Sequence, residues 1–116
     1  MALSYRKGRA TAAVGPGEKL LIVIAIGYGQ TQGRPHQGKS VAELCEDDGA
    51  SPDWFRRGME AVALAPTAMN QQKFRFALCG STVRALPGSG FYTKTDLGIA
   101  KCHFAVGAQG VDWKWA

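Results

Sequence analysis

The stretch that decides the fold is "LAPTAMNQQKFRF", residues 64–76. It joins a helical pattern to a strand pattern, and its middle follows neither. Pro66 and Thr67 break the helix, and three consecutive amides follow before Phe74 and Phe76 resume an apolar alternation. Amides that are buried require hydrogen-bond partners. This junction is therefore predicted either to face a cleft or to satisfy backbone groups within a loop.

The elements on both sides of the junction follow from periodicity. Before it, Ser51 and Pro52 are expected to start a helix whose apolar positions recur every three or four residues. After it, residues 73–79 alternate as a half-buried strand. A turn at Gly80 then predicts that residues 82–86 pair back as a hairpin.

Elements farther from the junction are also predicted. Residues 19–26, "KLLIVIAI", are typical of a strand that is covered on both faces. Ser40 and Glu43 have the spacing of a capping box, which predicts a short helix that ends near Gly49. Thr95 is expected to cap a long helix with few polar positions, which predicts a central and buried helix.

Residues 111–116, "VDWKWA", are expected to form a short closing strand. The order strand, helix, helix, strand pair, helix and strand predicts an α+β fold with a small mixed or antiparallel sheet packed against helices. The 116 residues suit one domain, residues 1–116, in which residues 1–18 form an irregular N-terminal segment.

The composition of the chain bears on where in the cell the protein is expected to be found. The longest apolar run is far shorter than the ~20 residues of a membrane span, so we expect no membrane association. The N-terminus has no apolar region of the kind found in a secretory signal. Three widely spaced cysteines, Cys45, Cys79 and Cys102, do not form a disulfide framework. These features predict a cytoplasmic protein.

The net charge of +5 favours anionic partners, but the basic residues are scattered along the chain. Neither a basic recognition helix nor an RNA-binding strand motif is found, so we expect no nucleic-acid binding. Scattered cations fit a phosphate-bearing cofactor equally well. His36 and His103 lie in no metal-ligand spacing, and no metal site is predicted.

The junction resembles a known cofactor loop. "APTAMNQQKFRF" is similar to the Pro-Ser-x-x-Asn-x-Gln-Pro-Trp flavin loop of the nitroreductase family. Pro66, Asn70 and Gln72 stand at matching positions, and Thr67 replaces the serine with another hydroxyl. The Pro-Trp pair that ends the family's pattern is Lys-Phe here.

Two further stretches resemble the same family. "IVIAIGYGQTQGRPHQGKSVAEL" is similar to the end of a nitroreductase subunit, and "DLGIAKCHFAVGA" to its long central dimer helix. In an ordinary nitroreductase the flavin loop precedes the Gly-Tyr strand, whereas here it follows. From about Tyr5 to Trp115, the order resembles the C-terminal half of a subfamily whose chains fuse two half-copies. The resemblance implies a half-domain that starts internally at Met1, and the family's N-terminal arginine clamp has no match.

The resemblance implies a flavin-dependent oxidoreductase with flavin mononucleotide (FMN) as its cofactor. NAD(P)H would reduce the flavin, and a nitroaromatic or quinone-type acceptor would reoxidise it, with no catalytic residue from the protein. Asn70 and Gln72 are expected to hydrogen-bond the ring edge or the ribityl chain, and Arg34 or Lys39 to pair with the phosphate. The expected cofactor-binding residues are Pro66, Thr67, Asn70, Gln72, Arg34 and Lys39.

An alternative is a non-catalytic structural half-domain that needs a companion half and does not bind flavin alone. In either case, a half without its partner would expose an apolar patch on the helix that starts near Thr95. We therefore expect a homodimer or a complex with a companion half-domain.

Overall fold

The computed structural model describes residues 13–20, 23–24, 26–46 and 50–116. They divide into two compact units, one within residues 2–35 and one within residues 36–116. The larger unit contains every helix and strand found among the described residues. These elements are α1 (Val41–Leu44), β1 (Cys45–Glu46), α2 (Asp53–Ala63), a 3₁₀ turn (Ala68–Asn70), β2 (Phe74–Cys79), β3 (Thr82–Pro87), α3 (Thr93–Gly107) and β4 (Lys114–Trp115).

The four strands form one mixed sheet in the order β1-β2-β3-β4. β2 and β3 are an antiparallel hairpin whose turn contains Gly80 at φ 64°, a left-handed backbone that suits glycine. β1 pairs in parallel with β2, and β4 pairs in parallel with β3. The parallel β3–β4 pair requires a crossover connection, which α3 provides. The predicted α+β fold and the predicted hairpin are confirmed.

The apolar core joins the sheet to α2 and α3. Full burial of one large apolar side chain contributes about 1.5–3 kcal/mol, so a short list of such residues accounts for much of the fold's stability. The buried residues of this core cluster are Leu44, Cys45, Phe55, Met59, Val62, Ala65, Phe74, Phe76, Val83, Ala100, Phe104 and Ala108.

Two glycines let α2 and α3 approach each other closely. A Cβ atom added at Gly58 of α2 would lie 2.6 Å from the ring of Phe104 on α3. A Cβ atom added at Gly107 of α3 would lie 2.6 Å from the carbonyl oxygen of Arg57 on α2. Such distances are well inside van der Waals contact, so the helices pack in this way only because both positions lack a side chain.

Aromatic rings fill the space near the C-terminal end of α3. The ring of Phe104 is fully buried and lies 5.1 Å from the Trp113 ring and 5.5 Å from the Trp115 ring. Trp54 of α2 stacks on Trp113 at 6.3 Å, measured between ring centroids. Lys101 places its ammonium 4.3 Å from the centroid of Trp115, in a cation–π contact. We call Trp54, Trp113 and Trp115 the tryptophan cluster.

The predicted helix before the junction is confirmed, with a different start. α2 buries Phe55, Met59 and Val62 on one face, as the spacing of its apolar residues indicates. The N-cap is Pro52, whose carbonyl accepts the first helical bonds, rather than Ser51. α2 ends at Ala63, within reach of the helix-breaking Pro66.

The predicted helix after Ser40 is shorter than expected. Glu43 accepts hydrogen bonds from the backbone N–H and the hydroxyl of Ser40, so the predicted capping pair is present. α1 nevertheless ends at Leu44, because Cys45 and Glu46 pair as a strand with β2. Residues 47–49, where the helix was expected to end, lie outside the described residues.

The prediction of a buried strand at residues 19–26 is wrong at the positions that the structure describes. Leu20, Val23, Ile24 and Ile26 lie in no strand, and Ile26 is 97% exposed. A strand requires a neighbour for its N–H and C=O groups. Among the described residues, the four strands of the sheet pair only with one another. Residues 21, 22 and 25 lie outside the described residues.

The irregular segment predicted at residues 1–18 is described only from residue 13 onward. Residues 15–18 form a turn, in which the Glu18 carboxylate accepts a hydrogen bond from the Gly15 N–H at 2.8 Å. Gly17 takes φ 79°, a backbone that favours glycine. Residues 27–39 are exposed and contain neither helix nor strand.

α3 starts two residues before the predicted cap. Its N-cap is Tyr92, at φ 56°, so Thr95 lies inside the helix. The helix is long, as predicted, and it buries Thr93, Asp96, Ala100 and Phe104 on one face. The opposite face exposes Cys102 and Val106. The predicted closing strand is confirmed as β4.

Candidate flavin-loop site

The segment Pro66–Gln72, which we call the amide loop, has an unusual backbone. Met69, Asn70 and Gln72 adopt φ values of 52°, 51° and 42°, in the left-handed region. Each non-glycine residue in that region costs roughly 1–2 kcal/mol, although Asn tolerates it better than most. Such a conformation persists only where surrounding contacts impose it. The contacts of the three amides therefore explain the loop.

Gln72 is fully buried and links the amide loop to two other segments. Its side-chain oxygen accepts the backbone N–H of Lys39 at 2.6 Å, and its side-chain nitrogen donates to the carbonyl of Ala63 at 3.0 Å. The Gln72 backbone N–H donates to the hydroxyl oxygen of Thr67, which is itself buried, at 3.1 Å. The amide thus satisfies the C-terminal end of α2 and fixes the chain before α1.

Gly38 permits this close approach. A Cβ atom added there would lie 2.6 Å from the Gln72 side-chain oxygen and 2.9 Å from its nitrogen. The ammonium of Lys39 then reaches the Gln72 carbonyl oxygen at 3.0 Å, so a cation stands beside the end of the amide loop. Lys39 itself is exposed.

Asp96, in the first turn of α3, is fully buried and faces the amide loop. One carboxylate oxygen accepts the Ala68 N–H at 2.9 Å, and the other accepts a side-chain N–H of Gln71 at 2.6 Å. Gln71 also donates to the carbonyl of Phe91 at 2.8 Å. One amide side chain therefore ties the amide loop to both α3 and the turn that precedes it.

Asn70 differs from its neighbours because it is exposed. Its side-chain nitrogen donates to the carbonyl of Gln37 at 2.6 Å, which orients the group. Its side-chain oxygen is an acceptor with two lone pairs. Met69 beside it is 85% exposed. The amide loop thus presents Asn70 and Met69 outward while its other polar groups point inward.

The electrostatics before α1 are set by local hydrogen bonds. The pKa of Glu43 is lowered, chiefly by the backbone N–H of Ser40 and then by the Ser40 hydroxyl. The Lys39 ammonium lowers that pKa further by a smaller amount. Glu43 is thus held as an anion close to the cation that touches Gln72.

The structure brings together most of the residues predicted from the sequence to bind a cofactor. Gln72 contacts both Thr67 and Lys39 directly, and Asn70 lies in the same loop as Thr67 and Gln72. Pro66 starts that loop and is exposed. Arg34 belongs to the unit within residues 2–35, where it is exposed.

Three residues that shape the site were not predicted to do so: Gly38, Gln71 and Asp96. Gln71 carried a signal, because it is the middle one of three consecutive amides. Asp96 gave no signal of its own, since the sequence alone does not place Ala68 next to it. For Gly38, nothing in a glycine-rich loop distinguishes a packing glycine from a turn glycine.

The buried polar side chains of the site are all paired within the protein. Within the described residues, every buried side-chain nitrogen or oxygen atom has a hydrogen-bond partner. In the same part of the chain, no group of three or more His, Cys, Asp or Glu residues is placed to hold a metal ion. None of the helices in the described ranges has the length and apolar character that crossing a membrane requires.

The comparison with protein families identifies the family. A family described as "Putative TM nitroreductase" matches residues 1–108, which is nearly the whole chain. The chain belongs to this nitroreductase family, and its α+β architecture accords with a nitroreductase-like half-domain. Comparisons with curated proteins and with solved structures give no significant match.

Proposed function

We propose that the chain is an FMN-dependent nitroreductase module that passes electrons from NAD(P)H to nitroaromatic or quinone-type acceptors. Family membership supports oxidoreductase chemistry with a flavin in general. The observation that carries the specific proposal is the amide loop. Buried contacts hold it in a strained left-handed path, yet Asn70 at its centre is exposed.

The exposed groups fit the polar edge of a flavin. That edge alternates carbonyl oxygens with ring nitrogens, and it needs both donors and acceptors from the protein. Asn70 offers an acceptor oxygen, and Lys39 offers ammonium protons beyond the one that it gives to Gln72. Because every buried side-chain nitrogen or oxygen atom in the described ranges is already paired, we assign cofactor contacts to these exposed groups.

Thr67 and Gln72 have a different role in this proposal. Both are buried and bonded to each other, so we assign them to holding the amide loop in place and not to contacting the ring. Pro66 fixes where the loop leaves α2. Arg34 remains a proposed partner of the FMN phosphate, on the strength of its charge and of the family resemblance.

Bound flavin supplies the electron and hydride chemistry, and the protein supplies binding and orientation. Asn70 is oriented by its bond to Gln37, so its oxygen is fixed before any ligand arrives. Lys39 brings positive charge that favours an electron-rich, anionic cofactor. No protein nucleophile or general base is required by this chemistry.

We further propose that the chain works as a half-domain, within a homodimer or with a companion half. The exposed face of α3, which carries Gly98, Cys102 and Val106, supports this proposal because it presents small and apolar groups. Cys79 and Cys102 are exposed and form no disulfide among the described residues, and we propose a cytoplasmic location.

The test is flavin uptake. FMN is titrated into the purified protein, alone and together with a separately expressed nitroreductase N-terminal half, and flavin fluorescence and NAD(P)H-dependent reduction of a quinone are measured. Asn70→Gly keeps the left-handed backbone but removes the amide, and it should weaken FMN binding about tenfold, the effect of losing one good hydrogen bond. Gln109→Ala, which changes an exposed amide in the turn after α3, is the control.

Saturable FMN binding that is weakened by the Asn70 change alone supports the proposal. Absence of FMN binding, both alone and with the added half, would indicate a structural half-domain without a cofactor. Equal FMN affinity in the wild type and the Asn70→Gly variant would remove the amide loop from the binding site.

A further inference from the structure

The buried carboxylate of Asp96 has no role in the chemistry described above. A buried charge is costly unless hydrogen bonds or ion pairs compensate it. Within the described part of the chain, Asp96 takes part in no ion pair. Its compensation comes from the Ala68 N–H and the Gln71 side chain, together with the N-terminal end of α3. The amide loop itself therefore holds this charge.

Gln71 connects Asp96 and the amide loop to a second segment with exposed side chains, the turn at Phe91 and Tyr92. Its other side-chain N–H binds the carbonyl of Phe91 at 2.8 Å. Phe91 and Tyr92 are 64% and 43% exposed, and their rings meet edge to face at 4.1 Å. Tyr92 also has a left-handed backbone, at φ 56°. Two strained segments, each presenting exposed side chains, are thus connected through one glutamine and one aspartate.

We propose that Asp96 is a positioning residue that, through Ala68 and Gln71, holds the amide loop and the Phe91–Tyr92 turn in one fixed arrangement. This inference rests on the proposed function and deepens it. Asn70 meets the cofactor, and the exposed aromatic pair offers a stacking surface to a planar aromatic acceptor. The carboxylate sets the position of both without touching either ligand.

The chemistry requires a carboxylate at this position. Two N–H donors converge on Asp96, one on each oxygen, and a carboxylate accepts on both. An asparagine has one acceptor and one donor group, so one of the two N–H donors would face another N–H. Asp96→Asn keeps nearly the same shape, but it removes one of the two hydrogen bonds that Asp96 accepts, from Ala68 or from Gln71.

The first experiment does not depend on flavin. Amide hydrogen exchange is measured in the wild type, in Asp96→Asn, and in Gln71→Leu, which removes the side-chain bonds of Gln71 but leaves Asp96 in place to accept the Ala68 N–H. Asp112→Asn, at an exposed aspartate, is the control for the charge change. Both test variants should speed exchange of the Ala68 amide about tenfold by raising local opening. Unchanged exchange at Ala68 in both would overturn the proposal.

The second experiment measures how the bound flavin responds to the same substitution. Asp96→Asn should weaken FMN binding about tenfold relative to Asp112→Asn and reduce the visible circular dichroism of the bound flavin, which reports how the ring is held. The double variant Asp96→Asn/Gln71→Glu exchanges donor and acceptor between the two side chains. It restores the bond between residues 71 and 96 but not the one to the Phe91 carbonyl, so it should recover part of both signals. Recovery by a second change distinguishes positioning from a general loss of stability.

The outcomes separate the two claims. FMN affinity and visible circular dichroism that match those of Asp112→Asn would overturn the positioning role. If the wild type binds no FMN, the proposed function fails, and the exchange rate of the Ala68 amide alone decides whether Asp96 holds the loop.

Discussion

The two ends of α3 are held in opposite ways. At its C-terminal end, Phe104 and Gly107 pack against α2 and the tryptophan cluster through close apolar contact. At its N-terminal end, Asp96 binds two N–H groups of the amide loop, and the neighbouring backbone is left-handed at Tyr92. The C-terminal contacts bury large apolar surface, whereas the N-terminal contacts are a few directed hydrogen bonds.

This difference indicates that stability and site geometry depend on separate parts of the molecule. Apolar burial is non-directional, and it scales with the area removed from water. Hydrogen bonds contribute less net free energy, but they fix atoms in particular places. Substitutions at the C-terminal end should therefore unfold the protein, and substitutions around the amide loop should mainly alter what the site presents.

The largest effect is expected from Phe104→Ala. The side chain is fully buried among aromatic rings, and truncating it should lower the free energy of unfolding by about 3–5 kcal/mol. Urea denaturation followed by far-ultraviolet circular dichroism measures this. Phe91→Ala is the matched control, because Phe91 is 64% exposed, and it should change stability by no more than about 0.5 kcal/mol. A similar loss of unfolding free energy in the two variants would contradict the conclusion that stability depends mainly on the C-terminal end of α3.

An intermediate effect is expected from Gln72→Leu. Leucine has a similar size but leaves the Ala63 carbonyl and the Lys39 N–H without their side-chain partner. The free energy of unfolding should fall by roughly 1–3 kcal/mol, the cost of unsatisfied buried polar groups. Gln109→Leu, at an exposed glutamine, is the control in the same urea titration. A loss as large as that of Phe104→Ala would show that the amide loop belongs to the stabilising core.

The smallest effect concerns Glu43, beside the amide loop. Its folded-state pKa lies below the ordinary value of 4.5, so its contribution to stability is present above that pH and is lost as the pH falls through the lowered pKa. Ser40→Ala removes the hydroxyl bond and should raise the Glu43 pKa. Ser40→Pro also removes the backbone N–H, the larger cause, and should raise it more. Carboxyl NMR titration measures both, and an equal pKa in the two variants would contradict the assigned order of causes.

The sequence predicted elements where local signals and tertiary contacts agree. The periodicity of α2 and the alternation of β2 each describe a face that the fold does bury, and β3 pairs with β2 as the predicted hairpin. The start of α3 was predicted wrongly because its N-cap is Tyr92 in a left-handed backbone conformation, which is not expected for a tyrosine. α1 was predicted too long, because the pairing of Cys45 with Phe76 joins residues far apart in sequence.

The site was predicted less completely for the same physical reason. The amides were recognisable in the sequence, but which of them point inward depends on Gly38, Lys39 and Asp96. None of these contacts is local, since Lys39 and Gln72 are separated by 33 positions. The apolar run at residues 19–26 shows the converse, because apolar and β-branched composition favours a strand but does not provide the neighbouring strand that it needs.

The tryptophan cluster has a practical consequence as an optical reporter. The sequence contains three tryptophans, and all of them lie around Phe104, with the rings of Trp54 and Trp113 nearly parallel at an interplanar angle of 11°. Their fluorescence therefore reports on the surroundings of the C-terminal half of α3. The amide loop contains no tryptophan and adds nothing to it. If flavin bound at the amide loop quenched this fluorescence, the cause would be energy transfer to the flavin or a structural change that extends along α3 to the tryptophan cluster.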